Sequence, residues 1–220
     1  MTKMFYELSM KDATDEELLD RIRVKEIVEY DRYCCDYGHK AEERKLWHDD
    51  GIFYSTWFKG PIDEYLSTPP LAKKPDEDIL KESHSHRVNN TVVWLKGNRA
   101  VAELLCFLNF RTKLGDEWVD TQCWCRMHYR AEKREGKWGL VYFEGIYEKD
   151  RMDTVFGDSG FSVPREVLEK YRPINWNMAY RRDVFNGGLK NAEEWVGSDK
   201  PETLARLYEE SSKWLGLGEE

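Results

Sequence analysis

Three short glycine-containing turns, set between long runs of β-forming residues, most constrain what this chain can fold into. Gly97-Asn98 separates Asn90 to Lys96 from Arg99 to Thr112. Leu114-Gly115-Asp116-Glu117 separates that second run from Trp118 to Lys133, and Glu135-Gly136 separates the third from Lys137 to Glu148. Long strands joined in this way predict an antiparallel meander. Such strands must also cover an apolar helix, so the sheet is expected to curl into a half-barrel or cone.

The helix precedes the sheet. Thr14-Asp15-Glu16-Glu17 fits a capping box, with Thr14 as N-cap and Glu17 three residues on. Apolar positions follow at Leu18, Leu19, Ile22, Ile27, Val28, Tyr30, Cys34 and Cys35, which predicts one broad buried face ending at Gly38. Lys40 to Trp47 reads as a second helix, ending at His48-Asp49-Asp50-Gly51, and Ile52 to Phe58 as a strand broken by Gly60-Pro61. Ile62 to Leu66 predicts a helical turn. Ser67 to Asp78, with Pro69, Pro70 and Pro75, predicts a loop. Helices first and sheet after is the α+β order.

Beyond Asp150 the character changes. Arg151 to Ser162 reads as a loop, Pro164 to Tyr171 as a short helix and Pro173 to Gly188 as a mixed aromatic stretch. A last helix opens at Ser198-Asp199-Lys200-Pro201 and reaches about Trp214. Residues 1–150 are therefore expected to form one domain. Residues 151–220 form a mainly helical extension with too little apolar content for its own core, expected to wrap the first domain or a neighbouring subunit.

Charged residues make up 35% of the 220, but 9 Trp, 12 Tyr and 9 Phe exclude a disordered chain. Forty-two acidic residues against 34 Lys and Arg give a net charge of −8, which argues against nucleic acid as a partner. The apolar run Val101 to Phe110 is interrupted by Glu103 and Asn109 and is too short for a membrane span. Met1 to Lys11 lacks the continuous apolar stretch of a signal peptide. Five Cys lack zinc-knuckle spacing. A reduced, cytoplasmic protein is expected.

Three clusters carry possible chemistry. His84 and His86, at i and i+2 in an extended chain, point the same way. They read as metal ligands, as loop-bracing hydrogen-bond formers, or as a source of a general base at a pocket mouth. Glu29 to Asp36, at the end of the first helix, contains Tyr30 and Tyr33 on one side, with Asp31 beside them. Asp31 is either an exposed partner of Arg32 or Lys25, or a carboxylate that orients a histidine. On the third strand Trp124, Arg126, His128 and Arg130 share one face, and Cys123, Cys125, Met127 and Tyr129 the other. Both faces carry rings, so burial does not separate them. Trp47, Trp57, Phe107 and Trp124 are candidate pocket walls, and Asn90, Arg126 and His128 candidate polar anchors. The stretch around Trp176 and Tyr180 is expected to close the cavity. No phosphate loop, GxSxG elbow or HExxH motif is present.

The order Ile22, Ile27, Asp36-Tyr37-Gly38-His39, Leu46-Trp47-His48-Asp49-Asp50-Gly51-Ile52-Phe53 resembles the start of SnoaL-like domains of the NTF2-like superfamily. His86 with Asn90, then Val92-Val93-Trp94, Gly97-Asn98-Arg99-Ala100 and Gly136-Lys137-Trp138, is similar to that group's His loop and hairpins. The resemblance implies an α+β cone with a cavity between curled sheet and helices. It also implies cofactor-free acid–base chemistry by a His–Asp pair with assisting tyrosines, as in scytalone and bile acid dehydratases. By position His86 matches the family His and Asp36 its helix Asp; Asp31 stands where several members carry Tyr, so either aspartate is a candidate partner. The expected protein is a lyase or dehydratase acting on a hydroxylated aromatic or polycyclic compound, without metal or cofactor, and assembled as a homodimer or homotrimer. The γ-formaldehyde lyases that cleave lignin-derived diarylpropanes are a refinement of the same expectation. A non-catalytic small-molecule-binding domain and a small subunit of a ring-hydroxylating oxygenase are the alternatives.

Overall fold

Thr14 caps helix α1 (Asp15–Tyr37): its side chain accepts from the Glu17 backbone N–H at 3.2 Å, and the Glu17 carboxylate accepts from the Thr14 N–H at 2.8 Å. The reciprocal bonds satisfy amide groups that the helix start leaves orphaned. At the other end Gly38 takes the left-handed conformation, φ 70°, and its N–H bonds back to Cys34 and Cys35. The computed structural model describes residues 3–68, 83–157, 160–185, 189 and 192–218. The expected proline loop lies mostly outside these residues, as do parts of the expected 151–162 loop and of the aromatic stretch.

The chain continues through α2 (Lys40–Lys45), β1 (Trp47–Tyr54), β2 (Lys59–Pro61) and α3 (Ile62–Ser67). The meander follows as β3 (Ser83–Lys96), β4 (Arg99–Leu114), β5 (Glu117–Arg134) and β6 (Lys137–Thr154). The tail holds α4 (Arg165–Leu168), α5 (Trp176–Phe185), β7 (Val196–Gly197) and α6 (Pro201–Trp214). The order across the sheet is β2-β1-β6-β5-β4-β3. The four long strands pair antiparallel in sequence order, and Glu135 and Gly136, with φ of 51° and 76°, make the tight turn between β5 and β6. The chain is thus α+β, with helices packed on a curled, open sheet.

Several boundaries differ from expectation. The second helix stops at Lys45, and Trp47 already opens β1, which pairs parallel with β6. Gly60-Pro61, expected as a break, lies in the short edge strand β2, where Pro61 ends the ladder. β3 begins at Ser83, so both histidines sit within the strand, and β6 runs on to Thr154.

The phase of α1 is the largest departure. Leu18, Leu19 and Ile22 are exposed, whereas Asp20, Val24, Val28, Asp31, Arg32 and Cys34 are buried. Asp20 faces inward because Lys133 on β5 reaches it at 2.7 Å. An ion pair across the helix–sheet seam thus takes the place of apolar contact in the first two turns.

Both faces of the sheet are covered. On the inner face α1 and α3 pack over alternating residues such as Leu104, Cys106, Met127 and Tyr129. On the outer face α6 buries Leu207 against Ile146 and Val196, while Phe5 and Leu215 pack on Val101. Among the described residues no helix is long and apolar enough to cross a membrane.

Candidate active site

Antiparallel pairing sets His84 opposite Phe110 and His86 opposite Leu108, so alternate residues of β3 and β4 line one concave face. These four border a cavity of about 740 Å³, counted out through its open mouth. Met127, Phe143 and Tyr147 extend its floor, Tyr65 of α3 and Trp57 of the loop between β1 and β2 close one side, and Met178, Arg181 and Arg182 of α5 close another. Arg32 and Cys35 of α1 form the roof. The walls are mostly apolar with a few convergent polar groups, the composition of a small-molecule site.

Asp36 ends the inward face of α1 and holds His86 at two points. Its Oδ1 accepts from His86 Nδ1 at 2.5 Å, and its Oδ2 from the His86 backbone N–H at 2.8 Å. Burial acts to raise the Asp36 carboxyl, but these bonds outweigh it and hold the carboxyl below its ordinary value. An ionised carboxylate only accepts, so Nδ1 carries the proton and Nε2 the lone pair. Burial lowers His86 despite Asp36, and it lowers His84 to about 4, so both rings are neutral near neutral pH. His84 Nε2 lies 3.8 Å from Asp36, and among the described residues neither of its ring nitrogens has a hydrogen-bond partner.

Tyr65 stacks on Phe53 with ring centroids 3.7 Å apart, and its hydroxyl meets Cys35 Sγ at 3.3 Å. Burial pushes the phenol well above its ordinary value, so it stays protonated as a hydrogen-bond donor. Cys35, His84 and His86 each offer one ligand atom, all within 4.8 Å of one another. That set has the composition of a zinc-type site. Burial pushes the Cys35 thiol up to about 12, so a metal would first have to displace its proton.

Asp31 lies on the same helix but in a different network. It is fully buried, and Arg32 Nη2 and Nε reach it at 2.5 and 3.0 Å. Trp47 Nε1–H donates to it at 2.7 Å and the Tyr129 hydroxyl at 2.8 Å. The Arg32 guanidinium lies 4.9 Å from the centre of the Phe143 ring. Asp31 and Trp47, expected as catalyst and pocket wall, therefore anchor the helix to the sheet. Asp36 is the partner of His86.

Glu43 completes this buried group, with Oε1 3.8 Å from Arg32 Nη2. Burial, then the neighbouring Asp31 charge, pushes it from 4.5 up to about 8. The folded chain thus holds this proton more tightly than the unfolded chain does. The resulting stabilisation is complete below 4.5 and is lost as pH rises toward 8. Glu43→Gln is expected to flatten that decline in thermal melts, raising Tm above pH 8 by roughly 2–4 °C per kcal/mol recovered. Equal slopes for both proteins would contradict the assignment.

The structure corrects several other expected site residues. Tyr30 and Tyr33 point outward, 43% and 49% exposed, and stack on each other away from the cavity lining. Asn90 is exposed because the register shift between Val88 and Thr91 turns it away. Phe107 and Trp124 pair edge to face on the outer side of the sheet. His128 and Arg126 share that outer side, beneath α6. His128 bonds Glu103 at 2.9 Å and Ser211 at 2.8 Å, and Arg126 pairs with Glu103 and Glu148. Rings and polar groups on β5 do not mark the cavity face, because α6 covers part of the outer face as well and buries His128 fully, while Leu105 there stays 39% exposed. Trp57 does line the cavity. Of the tail residues, Met178, Arg181 and Arg182 line it, whereas Trp176 and Tyr180, expected to close it, do not. Tyr65 was missed, although Ile62, Tyr65 and Leu66 show the i, i+3, i+4 spacing of an inward helical face.

Comparison with known proteins agrees with this architecture. The sequence model of the SnoaL-like domain matches residues 16–144. Pea pathogenicity protein 2 of Fusarium vanettenii is 23% identical over 210 residues, covering 93% of this chain and 89% of that protein. A PEP2-like protein of the same fungus matches with the same identity and coverage. Among solved structures, a scytalone dehydratase-like protein from Novosphingobium aromaticivorans shares the fold with a TM-score of 0.50 at 14% identity, covering 69% of this chain and 100% of that one.

Proposed function

This chain belongs to the SnoaL-like domain family, and from that premise we propose that it is a metal-independent lyase that removes water from a hydroxylated aromatic or polycyclic ketone. The observation that carries this reading is the 2.5 Å bond from His86 Nδ1 to Asp36 within an aromatic-walled cavity. Asp36 fixes the tautomer and stabilises the imidazolium that forms on proton uptake. His86 Nε2 removes a proton from the carbon next to the substrate carbonyl. The electron pair forms the new C=C bond, and the C–O bond one carbon further on breaks. The imidazolium returns its proton to the departing hydroxide, so water leaves and the enzyme is restored. Tyr65, kept protonated by burial, donates to the carbonyl oxygen as negative charge develops there. For release of formaldehyde from a diarylpropane the same base would take the γ-hydroxyl proton instead: the O–H pair becomes the C=O of formaldehyde, the Cβ–Cγ bond breaks and its pair forms the C=C bond, and the α-hydroxide leaves as water with the proton that the imidazolium returns.

The test substrate is 3-hydroxy-1-tetralone, whose dehydration product tautomerises to 1-naphthol and is followed by absorbance. Wild-type protein is expected to form naphthol above the protein-free rate. Asp36→Asn, which removes the charge that orients and supports His86, is expected to lower kcat by about 10²-fold. An Asp36→Asn rate equal to wild type, or no naphthol above background from wild type, would contradict the reading. Because burial lowers His86, kcat/KM should hold steady as pH falls to 6.5, the ordinary histidine value, and decline only below it. A decline that begins above that value would assign the base elsewhere.

A further inference from the structure

One of the two arginines on the cavity wall supplied by α5 carries a charge that no carboxylate among the described residues balances. Arg181 and Arg182 both line the cavity, and no carboxylate lines it among the described residues. Arg32 also borders it, but Asp31 neutralises that guanidinium at 2.5 Å. Arg181 is held by Thr112, to which its Nε donates at 2.8 Å, and its guanidinium sits 4.2 Å from the centre of the Phe110 ring. Arg182 is different. Its guanidinium lies 5.5 Å from the centre of the Trp57 ring, and its Nε is buried with no hydrogen-bond partner among the described residues. Burial lowers it to about 10, so it remains a cation near neutral pH.

A half-buried guanidinium without a counter-ion pays desolvation without return. A planar anion supplies the missing partner, because the guanidinium fork donates two parallel N–H bonds to a carboxylate. The Trp57 ring, over which the guanidinium sits, holds the fork at the cavity wall. Both arginines lie past residue 144, where the matched family region ends, so this wall comes from the C-terminal segment and not from the matched region.

We propose that the substrate carries a carboxylate on its aromatic framework and that Arg182 receives it. The inference rests on the cavity being the reaction site, but it reads binding rather than turnover and therefore fails separately. Two matched probes, 2-naphthoate and 2-naphthamide, differ in charge and little in shape. In calorimetric titrations near neutral pH and at low salt, wild-type protein is expected to bind the naphthoate at least about tenfold more tightly than the amide. Arg182→Met, which keeps length but not charge, should bring the two affinities together. Arg182→Gln serves the same purpose if the Met variant shows no cooperative melt. Arg182→Lys keeps a cation there and should retain the preference. His86→Asn should also retain it, since His86 is not the receiver.

Equal affinities in wild type, no naphthoate binding at millimolar concentration, or a preference that survives loss of the Arg182 charge would each overturn the proposal. A preference lost in His86→Asn but kept in Arg182→Met would assign the anion to the histidines and overturn it as well. If the preference behaves as expected while His86→Asn leaves dehydration unchanged, the anion site stands and the lyase reading falls.

Discussion

His86→Asn is expected to slow dehydration by about 10²–10⁴-fold, the range by which a positioned general base accelerates proton transfer. Asn is chosen because its amide N–H falls near the position of the histidine Nδ1–H. It can therefore keep the bond to Asp36 while removing the Nε2 lone pair that takes the proton. The Asp36 carboxylate also accepts from the backbone N–H of residue 86 at 2.8 Å, a bond that any side chain leaves in place. Thermal stability should accordingly stay near that of wild type. A large loss of rate with a near-normal melt separates chemistry from folding, whereas an unchanged rate would remove His86 from the mechanism.

Asp31→Ala is expected to behave in the opposite way. The substitution strands the Arg32 guanidinium, 2% exposed, and deprives Trp47 Nε1–H and the Tyr129 hydroxyl of their acceptor. Breaking a buried ion pair from one side costs about 3–5 kcal/mol, which for a chain of this size lowers Tm by roughly 6–20 °C. Remaining soluble protein should keep a substantial fraction of its kcat, because Asp31 touches neither His86 nor the substrate space. Urea unfolding and initial rates on the same preparation check both halves. A near-normal Tm combined with lost turnover would return Asp31 to the catalytic machinery.

These two aspartates show what was legible in the sequence and what was not. The capping box at Thr14, the stop at Gly38 and the glycine turns are local devices, and each lies where the residues indicate. The pair His84 and His86 was legible because the two-residue period of a strand forces both rings onto one face. Asp31 and Asp36 lie about 140° apart around a helix of 3.6 residues per turn, so only one of them can share a given partner. Choosing between them needs the helix phase. That phase was obscured because α1 buries Asp20, Asp31 and Arg32 while exposing Leu18, Leu19 and Ile22. Ion pairs with Lys133, and hydrogen bonds to Trp47 and Tyr129, come from segments far along the chain, and no local pattern announces them. The same holds for the outer face of β5, where His128 looks like a catalyst until α6 supplies Ser211. Arg181 and Arg182 fall on the side of α5 opposite the more conspicuous rings of Trp176 and Tyr180. The spacing of Met178, Arg181 and Arg182 is nevertheless that of a single helical face.

The central claim is that His86, held by Asp36, acts as a general base in an aromatic cavity without a metal. Its most direct test is the Kemp elimination of 5-nitrobenzisoxazole by chelator-treated wild-type and His86→Asn proteins measured side by side. In that reaction a base takes the C–H proton, the N–O bond breaks and a coloured cyanonitrophenolate is released. The probe therefore reports base strength and placement without requiring the natural substrate. The account predicts clear acceleration by metal-stripped wild-type protein and a loss of about 10²-fold or more in the variant. Equal rates for the two proteins, or a wild-type rate that vanishes on chelation and returns with zinc, would contradict it.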